Sequence, residues 1–127
     1  MKQPYTVLVI DDSTYVRMAA TKMLKEMEFG KIDSAENGKT GLDKFRSMHP
    51  HIVLLDGIMP EVDGLTVLKE IKKERPETKV IVSSSISSRE TILEFKASGA
   101  DYFLLKPYEK KQFNDAMKKA IAMMEVA

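Results

Sequence analysis

At 127 residues the chain has room for one compact domain, and its 43% hydrophobic and 31% charged content is that of an ordinary globular protein. Its 20 basic and 19 acidic residues leave a net charge of +1, which argues against nucleic-acid-coating and membrane-surface roles, since both need a basic excess. There is no cysteine, so disulfides, thiolate metal sites and cysteine nucleophiles are excluded.

The first apolar run, residues 6–10, lies in "MKQPYTVLVIDDS" and stops at Asp11 and Asp12. One lysine before a short run ending in carboxylates is not a signal peptide, and no apolar stretch approaches the roughly 20 residues that span a bilayer. The expected location is the cytoplasm. Val16, Ala19, Met23, Leu24 and Met27 follow at helical spacing, with Ser13 placed to cap that helix and Gly30 expected just past its end. A second run, residues 32–35, precedes a helical pattern at Leu42, Phe45 and Met48. A third, residues 52–55, leads to Leu65, Leu68 and Ile71, a helix opened by Asp63-Gly64 and stopped by Pro76. Residues 80–83 precede a weaker helix marked by Ile92, Phe95 and Gly99. Residues 102–105 precede Phe113, Met117, Ala120, Ile121 and Met124.

Strand followed by helix, five times over, predicts an α/β fold with a parallel sheet covered by helices on both faces. Runs such as "VLVI" and "IVLL" are apolar at every position, as strands buried on both faces should be. No repeat, low-complexity tract or linker interrupts the chain, so residues 1–127 are expected to form one domain with no output domain.

In such sheets the chemistry sits beyond the carboxyl ends of the strands. The first strand delivers Asp11 and Asp12 there. The third delivers Asp56, followed by Gly57 and a loop closed by Pro60 and Gly64. The fourth delivers Ser84 within a run of three serines, and the fifth delivers Lys106 ahead of Pro107. Oxygen ligands without a histidine or cysteine partner suit a hard cation, and Mg²⁺ typically takes a few carboxylates and keeps several waters. Such an ion would neutralise Asp11 and Asp12, one bound directly and the other through water. Asp56 is the better candidate to react: a carboxylate can attack phosphorus and become an acyl phosphate. The Lys106 ammonium can pair with the phosphoryl oxygens, and a serine hydroxyl can donate to another of them.

Together these stretches resemble a receiver domain of a two-component response regulator, over essentially the whole chain. The resemblance is carried by Asp11-Asp12, "LLDGIMPEVDG" around Asp56, "VIVSSS" around Ser84 and "GADYFLLKPY" around Lys106. It implies a flavodoxin-like (βα)5 fold with strand order 2-1-3-4-5. It also implies that Asp56 accepts a phosphoryl group from a sensor histidine kinase or a phosphotransfer protein. Mg²⁺, with Mn²⁺ as a substitute, would be held by Asp11, Asp12, Asp56 and the main-chain carbonyl of Ile58. Ser84 and Phe103 would be the switch residues, passing the signal to a surface formed by the fourth helix, fifth strand and fifth helix. The output would be a downstream protein target, with a phosphatase as a further partner and neither nucleic acid nor membrane involved. The protein would be a switch that catalyses only its own phosphorylation and dephosphorylation. "DDSTYVRMAATKML" and the chain length are similar to chemotaxis receivers outside the enteric type.

Departures from the family pattern are informative. Phe103 lacks the hydroxyl of the tyrosine that many relatives carry, and Tyr108 stands where phenylalanine is usual. Ile58 and Ile86 occupy positions thought to tune phosphate loss. Both are apolar and branched, which predicts a shielded, longer-lived acyl phosphate.

Blander readings stand beside these. Asp11 and Asp12 could simply favour a helix start. Ser83 and Ser85 are read as structural, with Ser85 a possible pocket lining, and "HPH" at 49–51 as a loop rather than a metal site. Met23, Met27, Met117 and Met124 are read as core packing, and Lys110, Lys111, Lys118 and Lys119 as a solvated face. Two functional alternatives remain: a pseudo-receiver that binds partners without phosphorylation, and a haloacid dehalogenase-like phosphotransferase. The latter needs a second aspartate two residues after its nucleophile, where Ile58 stands. A flavodoxin-like cofactor site would need a glycine- and hydroxyl-rich loop in place of "DDSTYVR".

Overall fold

The computed structural model describes residues 3–59, 61–85 and 88–125, so Pro60 and Ile86 lie outside the described residues. In chain order the elements are β1 (Gln3–Ile10), α1 (Thr14–Glu26), β2 (Phe29–Ala35), α2 (Gly38–Met48) and β3 (Ile52–Asp56). They continue with α3 (Gly64–Glu74), β4 (Lys79–Ser84), α4 (Arg89–Ala97), β5 (Tyr102–Leu105) and α5 (Lys110–Glu125). All strand pairs are parallel, in the order β2-β1-β3-β4-β5. This is the doubly wound arrangement expected from the alternation of runs.

The all-apolar strands are buried on both faces because successive side chains point to opposite sides of the sheet. Val7, Val9, Ile52, Leu54 and Ile81 join Ala20 and Leu24 of α1 and Phe113 and Met117 of α5 in one core. Leu8, Ile10, Val53, Leu55, Val80 and Val82 join Phe45, Leu68, Ile71 and Phe95 from α2, α3 and α4 in the other. The residues of these central strand segments are at most 2% exposed, and each large one contributes about 1.5–3 kcal/mol of burial free energy. The methionines read as packing belong to the first core: Met117 is fully buried, and Met23, Met27 and Met124 pack against it.

The starts of α1 to α4 carry side-chain caps. Ser13 accepts from the Val16 N–H at 3.2 Å, and Asp63 from the Thr66 N–H at 2.8 Å, each contributing about 1 kcal/mol. Two local readings change. Gly30 does not end α1 but lies inside β2, which begins at Phe29; the left-handed turn falls on Glu28 at φ 67°. Burial of Phe29, 3% exposed, draws the strand start forward over the intrinsic preference of glycine for that turn. The helix α2 begins at Gly38, earlier than its apolar pattern indicates, because Asn37 caps it through the Thr40 N–H at 2.8 Å. The "HPH" segment is a loop: His49 closes α2 in a left-handed conformation, and His51 Nδ1 accepts from the Thr6 N–H at 3.0 Å.

Candidate functional site

The carboxyl edge of the sheet is where Asp11, Asp56 and Lys106 converge. Asp11 is the first residue past β1, and its N–H reaches the Ala35 carbonyl on β2. Its Oδ1 accepts from the Ser13 N–H at 2.9 Å, so the turn into α1 orients the carboxylate. Arg17, one turn into that helix, donates to the Asp11 carbonyl at 2.7 Å and ties the turn down from the other side. Asp12, the next residue, is exposed at the rim of the same site.

Asp56 is the last residue of β3 and is 5% exposed. Its Oδ1 accepts from the Ile58 N–H at 3.2 Å, while the Gly57 N–H donates to the Ser83 carbonyl at 2.8 Å. The loop passes so close to the start of α3 that a Cβ on Gly64 would strike the Asp56 carbonyl oxygen and stand 2.7 Å from the Gly57 Cα. Only glycine fits there. Lys106 enters from the end of β5, its N–H held by the Ser84 carbonyl at 2.9 Å. Its ammonium lies 2.7 Å from Asp11 Oδ2 and 3.4 Å from Asp56 Oδ1.

The electrostatics follow from that crowding. Burial first, and the Asp11 charge second, push the Asp56 carboxyl up from 3.8 to about 6. The Ile58 N–H and Lys106 offset only part of this. One cation facing three carboxylates leaves the pocket short of positive charge. Asp11, Asp12 and Asp56 each offer an oxygen within 4.8 Å of the others. An all-oxygen set of that compactness fits a hard divalent cation, which would reverse the strain on Asp56.

Ser84 is buried at the end of β4. In register Ser83 stands opposite Asp56, whereas Ser84 lies one residue further toward the edge. By alternation Ser84 shares the sheet face of Val82, which pairs with Phe103. Phe103 in turn stacks on Phe95 of α4, with ring centroids 6.1 Å apart, and a Cβ on Gly57 would meet the Phe95 ring at 3.1 Å. Phe95 of α4 thus lies between the Gly57 backbone, next to Asp56, and Phe103 of β5. Ile58 is 48% exposed beside Asp56, and Ser85 lines a cavity with Lys106 and Tyr108.

The model of the response regulator receiver domain matches residues 7–118. The chain belongs to the response regulator receiver family. Among curated relatives, the receiver is 30% identical to the chemotaxis protein CheY of Bacillus subtilis over 92% of this chain and 98% of that one. It is 41% identical to a protein-glutamate methylesterase/protein-glutamine glutaminase of Archaeoglobus fulgidus, over 80% of this chain but 29% of that protein. Among solved structures, a CheY-like receiver domain protein from Methanospirillum hungatei shares the fold at TM-score 0.91 and 23% identity, over 97% of this chain and 98% of that one. The CheX–CheY–BeF3–Mg complex from Borrelia burgdorferi matches at TM-score 0.85 and 26% identity, over 94% of this chain and 89% of that one.

Receivers are signalling switches rather than conventional enzymes, and they hold Mg²⁺ through an acidic cluster; Asp11, Asp12 and Asp56 form such a cluster here. Among the described residues, no helix of the receiver is long and apolar enough to cross a membrane. Sequence reasoning missed three groups of the site: Arg17 and the Ser13 and Ile58 N–H donors. Main-chain donors leave no mark in side-chain identity, and Arg17 reads as one more helix-surface cation.

Proposed function

We propose that this receiver is a phosphorylation-activated switch whose acceptor is Asp56. One observation carries the reading: the Lys106 ammonium bridges Asp11 and Asp56 at the sheet edge, leaving a compact acidic set to take a divalent ion. An Asp56 oxygen attacks the phosphorus of a phosphohistidine. The O–P bond forms as the N–P bond breaks, and the imidazole leaves with the electron pair. Lys106 and the Ser84 hydroxyl pair with the transferred oxygens, while Asp11 and Asp12, with Asp56 and the Ile58 carbonyl, hold the Mg²⁺ ion; Mn²⁺ can take its place. Bound Mg²⁺ supplies charge neutralisation for the anionic phosphoryl group. In the return step a water oxygen attacks phosphorus, the Asp56 carboxylate departs, and the water's proton passes to solvent.

The new charge draws Ser84 toward the phosphoryl group and Phe103 inward after it, biasing α4, β5 and α5. Two exposed apolar residues on those elements, Leu93 at 51% and Leu105 at 48%, suit a protein target on that face. The upstream partner is a sensor histidine kinase or phosphotransfer protein in the cytoplasm, and a phosphatase is a further partner. Residues 1–127 act as one response regulatory unit, with Ile58 and Ile86 slowing phosphate loss. Its similarity to chemotaxis CheY proteins favours a chemotaxis-type pathway.

Intact mass after incubation with a small phosphodonor tests this, with and without Mg²⁺, for the native chain and Asp56→Asn. The expected result is a Mg²⁺-dependent gain of one phosphate that the substitution abolishes. No gain in a folded, Mg²⁺-bound protein would overturn the reading and leave a phosphorylation-independent binding module.

A further inference from the structure

Arg17 is the fourth residue of α1, and its half-buried side chain reaches back over the start of that helix. That is an electrostatically poor place for a cation, because the amino end of a helix is the positive end of its dipole. The first turn of α1 holds no acidic side chain to offset the cost. The hydrogen bonds of the guanidinium do so instead. One Nη donates to the Asp11 carbonyl at 2.7 Å, and the other to the Thr14 hydroxyl at 3.1 Å.

The Asp11 carbonyl belongs to the peptide unit that joins the two adjacent acids. It lies past the end of β1 and before the Ser13 cap of α1, and among the described residues no main-chain N–H donates to it. A peptide unit is planar, so fixing its carbonyl fixes the direction in which the chain leaves for Asp12. On its other side Asp11 is already held, by its N–H on the Ala35 carbonyl at 3.1 Å and its Oδ1 on the Ser13 N–H at 2.9 Å. Two donors in one planar fork let Arg17 grip the turn and brace itself on Thr14, which a lysine could not do.

We propose that Arg17 is a positioning residue for the divalent cation: by holding the Asp11–Asp12 peptide unit, it sets Asp12 beside Asp11 and Asp56 in the acidic cluster. The inference rests on the reading of that cluster as a Mg²⁺ site. Arg17 acts on the ion in two ways of opposite sign. As a partly exposed positive charge it repels Mg²⁺, so its removal would tighten binding, by at most about fivefold through solvent. As a brace it supports binding, and losing an outer partner of a metal ligand costs about 10-fold or more. The brace outweighs the charge.

The test is a Mg²⁺ titration of native protein and Arg17→Met, followed by amide resonances, with thermal melts in metal-free buffer. Arg17→Met is expected to bind Mg²⁺ severalfold more weakly. Equal or tighter Mg²⁺ binding by folded Arg17→Met overturns the inference, even if its melting temperature falls, since a merely structural role lowers stability alone. Should Arg17→Met not fold, Thr14→Ala carries the test, because it removes only the brace of the guanidinium at an exposed position. Weaker Mg²⁺ binding by that variant supports the inference, and unchanged affinity overturns it. Either failure leaves the proposed function standing, whereas failure of the native chain to bind Mg²⁺ overturns both.

Discussion

The Lys106 ammonium sits between two buried carboxylates, 2.7 Å from Asp11 and 3.4 Å from Asp56, and is itself only 19% exposed. Removing it leaves both acids without that cation. Lys106→Ala should therefore lower stability in the absence of divalent ions by about 2 kcal/mol, somewhat less than the loss of a fully buried partner. Adding Mg²⁺ should recover most of that loss. Urea denaturation with and without Mg²⁺ checks it; an unchanged midpoint in metal-free buffer would show that the pair contributes nothing net.

Asp56 gives stability a pH dependence of definite sign. Its folded-state value, about 6, lies above the ordinary 3.8, so the native state prefers the protonated form. That preference favours folding fully below the unfolded value and is lost as pH rises through about 6. Without divalent ions, Asp56→Asn should therefore be more stable than native by about 1–3 kcal/mol near neutrality, and by almost nothing at a pH below the unfolded value. Denaturation curves across that range decide it, and a difference independent of pH would rule out this origin.

Gly64 is predicted to tolerate no side chain. Gly64→Ala drives a methyl group into the Asp56 carbonyl and Gly57, both main-chain atoms that cannot step aside. A cost of about 2–3 kcal/mol is expected, together with weaker Mg²⁺ binding, because the displaced segment carries Asp56. Thermal melts and a Mg²⁺ titration measure the two effects; full Mg²⁺ affinity would mean the loop relaxes elsewhere.

Ile58 donates its N–H to the Asp56 carboxylate and leaves its side chain half exposed beside it, so under the proposed function it is expected to influence phosphate lifetime. Ile58→Asn should speed loss of the phosphoryl group severalfold by replacing an apolar cover with a group that can hold water. The decay of the phosphorylated mass with time gives the rate. An unchanged rate would assign lifetime to other residues.

The amino-acid order by itself determined the class of fold, because "VLVI" and "IVLL" are apolar at every position and only a two-faced sheet buries such strands. It also placed Asp11, Asp56, Ser84 and Lys106 at strand ends, since each directly follows or closes an apolar run. Tertiary structure alone decided distances and polarity: that Lys106 chooses Asp11 over Asp56, that an exposed Asp12 still joins Asp11 and Asp56 in one acidic cluster, and that Gly64 presses on the Asp56 carbonyl. It also moved the turn after α1 from Gly30 to Glu28. These outcomes depend on how strands and helices distant in sequence meet, and on main-chain groups that every residue shares. A one-dimensional pattern carries neither, whereas the burial periodicity that defines the sheet is written directly into side-chain identity.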